Sequence, residues 1–376
     1  MIFKEYCIRE IAEAVAHGIQ FIGFGAGKRF MSLCEKYAAE DLAGMFSFLV
    51  DNDPAKWGTK RFVKGHWLEV RPLADALAYA KDAPILIMLT PVKFKNIWEQ
   101  LYAIPELDAS GVILPQAMED RELFWQQERG AFAFEIPHDD RYAIPKIIHY
   151  CWFGGKPIPE RNRKWMESWQ QLCPDFEIRE WNESNYDVRK EPFMAEAYDA
   201  KKWGFVSDYA RLDILAKYGG FYLDTDVELL KSLDQLIAQP AFCGFEDCEH
   251  VACGLGFGAI PQHPLLKALR DDYDGKHFLQ EDGSYNMTPS PVYWTERLKN
   301  FDLRLDGTFQ QLDGINIYPP TAFAPKSYAS GQMLESEDTI SIHHFDASWQ
   351  DQEAREHHQL AMDLWKRCRA NCPHLE

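Results

Sequence analysis

Two aspartates separated by one residue, Asp224 and Asp226, come directly after a short apolar run. Earlier in the chain, Asp208 and Arg211 are three residues apart, a spacing that puts two side chains on one face of a helix. Hard divalent cations take oxygen ligands, and Mg²⁺ in particular is held by one or two carboxylates together with substrate phosphates. The two aspartates are therefore predicted to hold a divalent metal on a diphosphate, and the Asp/Arg pair to bind the group attached to that diphosphate.

The elements that position these residues can be predicted from the surrounding pattern. An amphipathic helix is expected from Phe205 to Tyr218, and Gly219-Gly220 should end it. A strand over Phe221 to Leu223 follows, and strand alternation would place the two aspartates on the same side. For the helical Asp/Arg pair, the alternative is a surface ion pair worth about 0 to 1 kcal/mol.

A second strand with a candidate ligand contact lies upstream. Ile147 to Tyr150 has the pattern of a buried strand, and Trp152 and Gly154-Gly155 follow it. Ligands bind at the carboxyl ends of the strands of parallel α/β sheets. Trp152 could therefore stack on a base, and the glycines would let backbone approach a ligand closely. The alternative for the tryptophan is an ordinary core position.

These motifs together resemble glycosyltransferase family 32, over about residues 143 to 350. The family includes capsular and O-antigen polysaccharide transferases and yeast-type mannosyltransferases, and the bacterial capsular branch is the most similar. The matching segments are Ile144 to Gly155, the series from Ser207-Asp208 through Arg211 and Gly219-Gly220 to Tyr222, Asp224 and Asp226, Gly254 to Gly258 with His263-Pro264, Tyr318-Pro319-Pro320, and Ser341 to Trp349.

The resemblance implies a Rossmann-like domain of the GT-A type and retention of anomeric configuration. Trp152 would stack on the uracil of a UDP-sugar, and Tyr222 would lie near the nucleotide. Ser348 and Trp349 would close over the leaving diphosphate. The acceptor would be a saccharide or a lipid-linked oligosaccharide in the synthesis of a capsular or other surface polysaccharide.

For the metal, the resemblance implies Mn²⁺ or Mg²⁺ held by Asp226, with Asp224 on the ribose or a metal-bound water. His344 is predicted as the third protein contact, in preference to His343. The catalytic residues implied are Asp208, Arg211 and Asp226, of which Asp208 and Arg211 would hold the sugar hydroxyls.

One segment departs from the family pattern. Many members have Thr-Gly-Pro where this chain has Asn286 to Pro291. The segment usually lies beside the sugar and the acceptor, so the acceptor side is not defined by the resemblance. Pro289 and Pro291 favour a rigid, non-helical backbone there.

Residues 1 to 138 are predicted to form a smaller domain, and residues 139 to 376 the catalytic domain. Strands alternate with helices in the first domain, which predicts a doubly wound parallel sheet. Gly23 ends the first predicted strand, Gln20 to Gly23, and Gly25 and Gly27 follow it. Asp51 follows the next strand, which makes an imperfect dinucleotide-type arrangement. The segment could bind a nucleotide, or it could serve as a scaffold that uses the glycines only for a tight turn.

Composition excludes some classes of protein. The chain has 376 residues, 46% of them hydrophobic, and a formal net charge of −18, so a large core is expected and nucleic acid is not the expected partner. Nine scattered cysteines indicate reduced thiols and a cytoplasmic protein, and no signal peptide or membrane span is expected. The C-terminal helix, with Leu360 and Trp365 beside Lys366, is either packed on the body or in peripheral contact with a membrane at its inner face.

Two other functions are consistent with parts of the sequence. The glycine-rich segment alone would suit an NAD(P)-dependent sugar-nucleotide oxidoreductase or epimerase, although a Tyr-x-x-x-Lys catalytic pair is missing from the first domain. A non-catalytic nucleotide-sugar-binding scaffold is the other, although the intact aspartates and Arg211 count against it. The prediction is a metal-dependent glycosyltransferase that uses a nucleotide-sugar donor.

Overall fold

The computed structural model describes residues 1–90, 95–328, 330–346 and 352–370. The chain forms two compact units. The first comprises Met1–Trp125, Ala329–Gly331 and Glu356–Glu376, and the second comprises Gln126–Tyr328 and Gln332–Arg355.

These units differ from the predicted division at residue 138. The chain enters the second unit at Gln126 because Phe132 and Phe134 pack into that unit, where the ring of Phe134 lies 5.3 Å from that of Tyr318. Most of the C-terminal helix belongs to the first unit. The assignment of an accessory role to residues 1–138 and of catalysis to residues 139–376 remains a prediction.

The first unit is a seven-stranded sheet with helices between its strands. Its strand order is β1-β7-β6-β2-β3-β5-β4, and all its strand pairs are parallel except β4 with β5. The strands are β1 (Ile2–Phe3), β2 (Phe21–Phe24), β3 (Phe48–Val50), β4 (Lys60–Val63), β5 (His66–Arg71), β6 (Leu86–Leu89) and β7 (Gly111–Ile113). The helices are α1 (Ile8–Ala16), α2 (Lys28–Lys36), α3 (Leu42–Met45), α4 (Leu73–Ala80), α5 (Lys95–Tyr102) and α6 (Pro115–Glu128).

This order makes the first unit doubly wound, as predicted. The chain moves from β2 outward through β3 to β5, and then returns to the other side of β2 at β6. A reversal of this kind creates the crevice at which ligands bind in open α/β sheets. The glycine-rich segment follows β2 and therefore lies at this crevice.

The second unit is built on an eight-stranded mixed sheet with the order β15-β16-β12-β14-β10-β8-β9, in which β13 pairs with β12. Its strands are β8 (Ile147–Cys151), β9 (Glu177–Trp181), β10 (Gly220–Tyr222), β11 (Val227–Leu229), β12 (Ala241–Phe245), β13 (Val251–Ala252), β14 (Phe257–Ala259), β15 (Gln310–Leu312), β16 (Ile315–Tyr318) and β17 (Ser341–His343). Strands β11 and β17 form a separate antiparallel pair. The helices are α7 (Glu160–Leu172), α8 (Pro192–Asp199), α9 (Trp203–Tyr218), α10 (Pro264–Asp271), α11 (Ser290–Lys299) and α12 (Pro320–Phe323), followed by the C-terminal helix α13 (Gln352–Arg369).

Helices cover both faces of this sheet, which positions the candidate site. Strand β8 pairs in parallel with β9 on one side and with β10 on the other. Helix α7 connects β8 to β9, and helices α8 and α9 connect β9 to β10. Trp169 of α7 lies in a different buried cluster from Val206 and Leu215 of α9. The chain therefore reverses direction at β8, and a ligand crevice is expected between the carboxyl ends of β8 and β10.

Helix α9 begins two residues earlier than predicted and ends at the predicted residue, Tyr218. Gly219 ends it with a positive φ of 63°, a conformation that favours glycine. A side chain at Gly219 would also collide with Pro261, since its Cβ would lie 2.6 Å from that ring. The short connection sends the chain directly into β10.

In the C-terminal helix α13, Trp365 is buried and its ring lies 5.2 Å from that of Phe3. Arg369 pairs with Glu5. Leu360 is exposed. The packing of Trp365 agrees with the predicted alternative of a helix docked on the body.

Membrane-spanning helices are absent from the described residues. None of the helices there combines the length and the apolar character that crossing a bilayer requires.

A buried histidine makes the second unit sensitive to acid. The ring of His149 accepts a hydrogen bond from the Trp181 indole at Nδ1 (3.0 Å) and donates one from Nε2 to the Gly219 carbonyl (3.0 Å). Burial lowers the pKa of His149 to about 4. The unfolded chain therefore binds a proton that the folded chain excludes between about pH 6.5 and pH 4.

We expect His149 to make folding less stable as the pH falls through this window. The contribution is about 2 kcal/mol at pH 4.5 relative to pH 7. His149→Gln should be less stable at pH 7 but should lose less stability on acidification. Urea titrations at several pH values measure this difference, and parallel pH profiles of the two proteins would contradict it.

Candidate active site

The two aspartates lie in a turn at the carboxyl end of β10. The strand ends at Tyr222, so Asp224 and Asp226 belong to the connection between β10 and β11. The Asp224 amide donates to the Gly254 carbonyl (3.2 Å), and the Val227 amide donates to the Asp224 carbonyl (3.0 Å). The prediction that strand alternation brings the carboxylates together is wrong in this detail, because a hydrogen-bonded turn does so instead.

The turn converges with a histidine from a distant part of the sequence. Ligand atoms of Asp224, Asp226 and His343 all lie within 4.8 Å of one another. Strand β17 places the histidine there, because His343 is paired with Val227 in the antiparallel β11–β17 ladder. The Nε2 atom of His343 lies 3.3 Å from Oδ1 of Asp226.

The structure reverses the predicted preference between the two histidines. His344 is the predicted third contact, but its Nε2 atom lies 2.8 Å from the Glu228 carboxylate and its ring stacks on Trp165 with centroids 4.1 Å apart. Only its backbone reaches the turn, where its amide donates to the Asp226 carbonyl (2.9 Å). Successive residues of an extended chain point to opposite sides, so only one of the two imidazoles can join the carboxylates.

The three side chains fit a divalent cation. Two carboxylates and one imidazole are ligands that Mn²⁺ and Mg²⁺ sites accept, with carboxylate oxygen the preferred type. The Nδ1 atom of His343 is buried and has no hydrogen-bond partner in the described part of the chain. The absence of a side chain at Gly254 leaves room beside the cluster, since a Cβ there would lie 2.3 Å from Oδ2 of Asp224.

The pKa values of the three candidate ligands are shifted in different directions. Burial raises the pKa of Asp224, and Arg211 opposes that rise. Burial also disfavours ionisation of Asp226, but the adjacent His343 outweighs it and holds the pKa of Asp226 below its ordinary value. The pKa of His343 is raised by Asp226 in spite of burial. Asp226 and His343 therefore form an ion pair that a cation would replace with release of a proton.

Asp208 and Arg211 lie next to the metal-ligand cluster and are in contact with each other. Arg211 Nη2 is 2.8 Å from the Asp208 carboxylate, and Nη1 is 3.5 Å from Oδ2 of Asp224. Tyr222 donates its hydroxyl hydrogen bond to Oδ1 of Asp224 (3.0 Å), and the guanidinium lies over the Tyr222 ring at 5.1 Å. Both members of the Asp208–Arg211 pair are buried. The alternative of a surface ion pair is therefore excluded.

The environment of Asp208 includes residues that the sequence did not indicate. Burial raises the pKa of Asp208 to about 6, and Arg211 and a hydrogen bond with Ser290 limit that rise. The Cys253 thiol lies 3.4 Å from Nη1 of Arg211 and 3.7 Å from the Ser290 hydroxyl. A serine at the start of α11, directly after Pro289, was the available signal for this contact. The Asp208 carboxylate is thus held between the guanidinium of Arg211 and the hydroxyl group of Ser290.

Helix α7 supports the aspartate turn from behind. The Asn162 amide group donates to the Thr225 hydroxyl (3.2 Å), and the Trp169 indole donates to the Val227 carbonyl (2.9 Å). Arg161 pairs with Asp346, whose amide donates to Oδ2 of Asp226 (2.7 Å). The helix therefore fixes both the turn and the segment that follows β17. Ser348 and Trp349, predicted to close over a diphosphate, lie outside the described residues.

Trp152 lies directly after β8, one strand away from the aspartate turn. It is half-buried, and its indole donates to the Lys156 carbonyl (2.6 Å). Gly154 takes a positive φ of 91°, and a Cβ there would lie 2.6 Å from the Trp203 ring. Trp152 and Asp224 thus stand at neighbouring strand ends on the two sides of the expected crevice.

The glycines of the first unit have different roles. Gly25 has a φ of 103° and Gly27 is the N-cap of α2, as a tight turn between strand and helix requires. Gly23 lies inside β2, where a Cβ would come 2.7 Å from Leu49, so it permits packing instead of forming the turn. The Asp51 carboxylate accepts hydrogen bonds from the Ala26 amide (3.2 Å) and from a lysine, Lys56 (2.9 Å).

Comparison with known proteins shows a family to which the segment around this site is similar. Residues 159–243 match the family described as "Glycosyltransferase sugar-binding region containing DXD motif". The match includes α7, α9 and the aspartate turn. The match agrees with the predicted enzyme class, glycosyltransferase, over this segment. The two sheets of the structure confirm the predicted α/β fold, a Rossmann-like domain of the GT-A type preceded by a smaller doubly wound domain.

Individual relatives are fungal mannosyltransferases. The chain is 34% identical over 196 residues to the mannosyl phosphorylinositol ceramide synthase of Saccharomyces cerevisiae, covering 50% of this chain and 49% of that protein. It is 36% identical over 142 residues to an inositol phosphoceramide mannosyltransferase of Schizosaccharomyces pombe, covering 36% and 39%. It is 28% identical over 146 residues to the initiation-specific alpha-1,6-mannosyltransferase of Candida albicans, covering 36% and 38%.

The chain therefore spans about half or less of the length of these relatives. Their names support the broad family predicted from the sequence, but they do not support the predicted similarity to a bacterial capsular branch in particular. The donor, the acceptor and the metal belong to the proposal below.

We expect His343→Gln to weaken Mn²⁺ binding by at least about tenfold, because it removes one of three converging ligands. His344→Gln is the matched control and should change the affinity by less than about threefold. Electron paramagnetic resonance of free Mn²⁺ measures both values without requiring a substrate. Equal effects of the two substitutions would contradict the assignment of His343.

We expect Gly254→Ala to displace the Asp224 carboxylate, because the new methyl group would occupy space next to Oδ2. A displacement of about 1 Å at a reacting centre can lower a rate about 100-fold. Turnover of a nucleotide-sugar donor and the melting temperature should be measured together. A full-rate Gly254→Ala protein would show that the packing at this glycine is not required.

Proposed function

We propose that this protein transfers a hexosyl group from a nucleotide sugar to a saccharide or lipid-linked acceptor, with a divalent cation bound at the aspartate turn. The observation that carries the proposal is the convergence of Asp224, Asp226 and His343 at the carboxyl end of β10, in contact with Arg211.

The proposed metal ligands have distinct roles. A bound Mn²⁺ or Mg²⁺ would supply positive charge to the diphosphate that accumulates negative charge as the sugar departs. Asp226 and His343 would hold that cation, and Asp224 would complete the set while remaining bonded to Tyr222. Arg211 keeps Asp224 oriented at 3.5 Å, and its own positive charge adds to the field at the diphosphate.

The donor would lie across the crevice between β8 and β10. Trp152 would stack on the base, and Tyr222 would lie near the nucleotide. Asp208 would accept hydrogen bonds from the sugar hydroxyls. Ser348 and Trp349 would close over the diphosphate. In this arrangement the base, the diphosphate and the sugar would follow one another along the carboxyl edge of the sheet.

The donor sugar and the acceptor are open to direct test. The names of the relatives make mannose a first candidate beside the UDP-hexoses predicted from the resemblance, and they name inositol phosphoceramide as an acceptor in fungi. Retention of configuration and a role in capsular polysaccharide synthesis remain predictions of the resemblance.

The first unit would have an accessory role. The turn at Gly25 and Gly27 lies at the reversal point of its sheet, which is where a nucleotide would bind. Asp51 would then have to exchange its bond with Lys56 for contacts with a ribose. The scaffold alternative requires no such exchange.

A donor screen tests the proposed function. We expect slow, Mn²⁺-dependent release of nucleoside diphosphate from one member of a panel of UDP- and GDP-hexoses, and a loss of at least about 100-fold in Asp226→Asn. Trp152→Ala should raise the KM for that donor more than it lowers kcat. Turnover of NADH without donor hydrolysis would point to an oxidoreductase, and donor binding without turnover would point to a scaffold.

A further inference from the structure

Glu246, the residue directly after β12, has a carboxylate that the described residues leave without a partner. In the part of the chain that the structure describes, its side chain makes neither a hydrogen bond nor an ion pair. The side chain is half-buried at the end of a fully buried strand. A partly desolvated carboxylate without a partner is unfavourable in the absence of a ligand.

The topology of the sheet places Glu246 at the same edge as the aspartate turn. Strands β10 and β12 are both antiparallel to β14, so they run parallel to each other and their carboxyl ends share an edge. Strand β12 lies two positions from β10, a distance of about 10 Å at the usual strand spacing. Strand β8, which ends directly before Trp152, lies on the other side of β10. Glu246 and Trp152 therefore flank the aspartate turn from opposite sides.

The loop after β12 is held by its own hydrogen bonds. The Glu246 amide donates to the His250 carbonyl (2.8 Å). The Asp247 carboxylate accepts from the amides of Glu249 (2.7 Å) and His250 (2.7 Å), and it lies 3.1 Å from the His250 ring. Asp247 is thus used within the loop, and Glu246 is the acidic group left to meet a ligand.

Glu246 interacts electrostatically with His343 but does not belong to the metal-ligand cluster. Burial, together with Asp247, raises the pKa of Glu246 to about 7, and His343 and His250 oppose that rise. Glu246 is not one of the three converging ligands. A carboxylate at the edge of the site that is outside the ligand set can accept a proton from a hydroxyl group.

We propose that Glu246 is the acceptor-side catalytic residue, whose carboxylate binds the attacking hydroxyl and takes its proton. The inference rests on the proposed function and extends it to the side of the site that the resemblance leaves undefined. The nucleotide would occupy the Trp152 side, the diphosphate the aspartate turn, and the acceptor the Glu246 side.

The chemical step balances without a further reactant. The acceptor oxygen forms a bond to the anomeric carbon on the face from which the diphosphate leaves, as the predicted retention requires, and its proton passes to a Glu246 carboxylate oxygen. The bond between the anomeric carbon and the diphosphate oxygen breaks, and its electron pair remains on the diphosphate. In the absence of a sugar acceptor, water takes the same place, and the products are free sugar and nucleoside diphosphate.

The test compares Glu246→Gln with Glu249→Gln, which removes the same charge from the same loop. Hydrolysis of the nucleotide sugar that the wild-type protein turns over fastest is measured with Mn²⁺, so that water serves as the acceptor. We expect Glu246→Gln to lower kcat about 100-fold, with the donor KM and the Mn²⁺ affinity each within about threefold of wild type. Glu249→Gln should retain the wild-type kcat.

A second variant separates catalysis from a structural role. Sodium formate supplies a small carboxylate that can enter the space left by Glu246→Ala, so we expect added formate to restore part of its lost kcat. Formate should have no effect on Glu246→Gln, in which the amide fills that space.

Three outcomes would overturn the inference. A wild-type kcat in Glu246→Gln would show that the carboxylate is not used. Parallel losses of kcat, donor binding and Mn²⁺ affinity would assign Glu246 a structural role beside His343, as would the absence of formate rescue. Failure of the wild-type protein to hydrolyse any donor would instead refute the proposed function, and the role of Glu246 with it.

Discussion

The buried guanidinium of Arg211 is the interaction on which the rest of the site depends. It lies 2.8 Å from Asp208 and 3.5 Å from Asp224, and it covers the ring of Tyr222. A buried charge is costly unless it is paired, and removing one partner of such a pair typically costs about 3 to 5 kcal/mol. The arginine therefore ties helix α9 to the aspartate turn, and the predicted sugar contact and the predicted metal ligand cannot be positioned independently.

A second ion pair, between Asp226 and His343, extends this network to the residues that follow β17. Asp226 is paired with His343, and its backbone carbonyl and second carboxylate oxygen accept hydrogen bonds from the amides of His344 and Asp346. The segment after β17 is thereby held against a turn that lies far from it in sequence. Negative charge from two aspartates is balanced on one side by an arginine and on the other by an imidazole, which leaves the turn ready to exchange one of its partners for a cation.

Local sequence patterns were sufficient to predict most of the fold, and long-range register limited the prediction of the site. Apolar or amphipathic runs bordered by glycines predicted β2, α9 and β10 to within a few residues, because these signals act over one element. The choice between His343 and His344 depends on how β17 pairs with β11, which no local pattern determines. Ser290 contacts Asp208 only after α11 packs beside α9, so its role could not be read from neighbouring residues.

The antiparallel strand β14 has a consequence for how this site could diversify. Because it is inserted between β10 and β12, the chain entering it passes under Asp224 as bare backbone, with a carbonyl and a glycine at Gly254. The part of the site next to Asp224 that this segment forms is thus built from backbone groups that every amino acid shares, apart from the requirement for no side chain at that glycine. The side chains proposed to contact the base and the acceptor lie on either side of the aspartate turn. Substrate preference could therefore change there while the turn and its ion pairs stay unaltered.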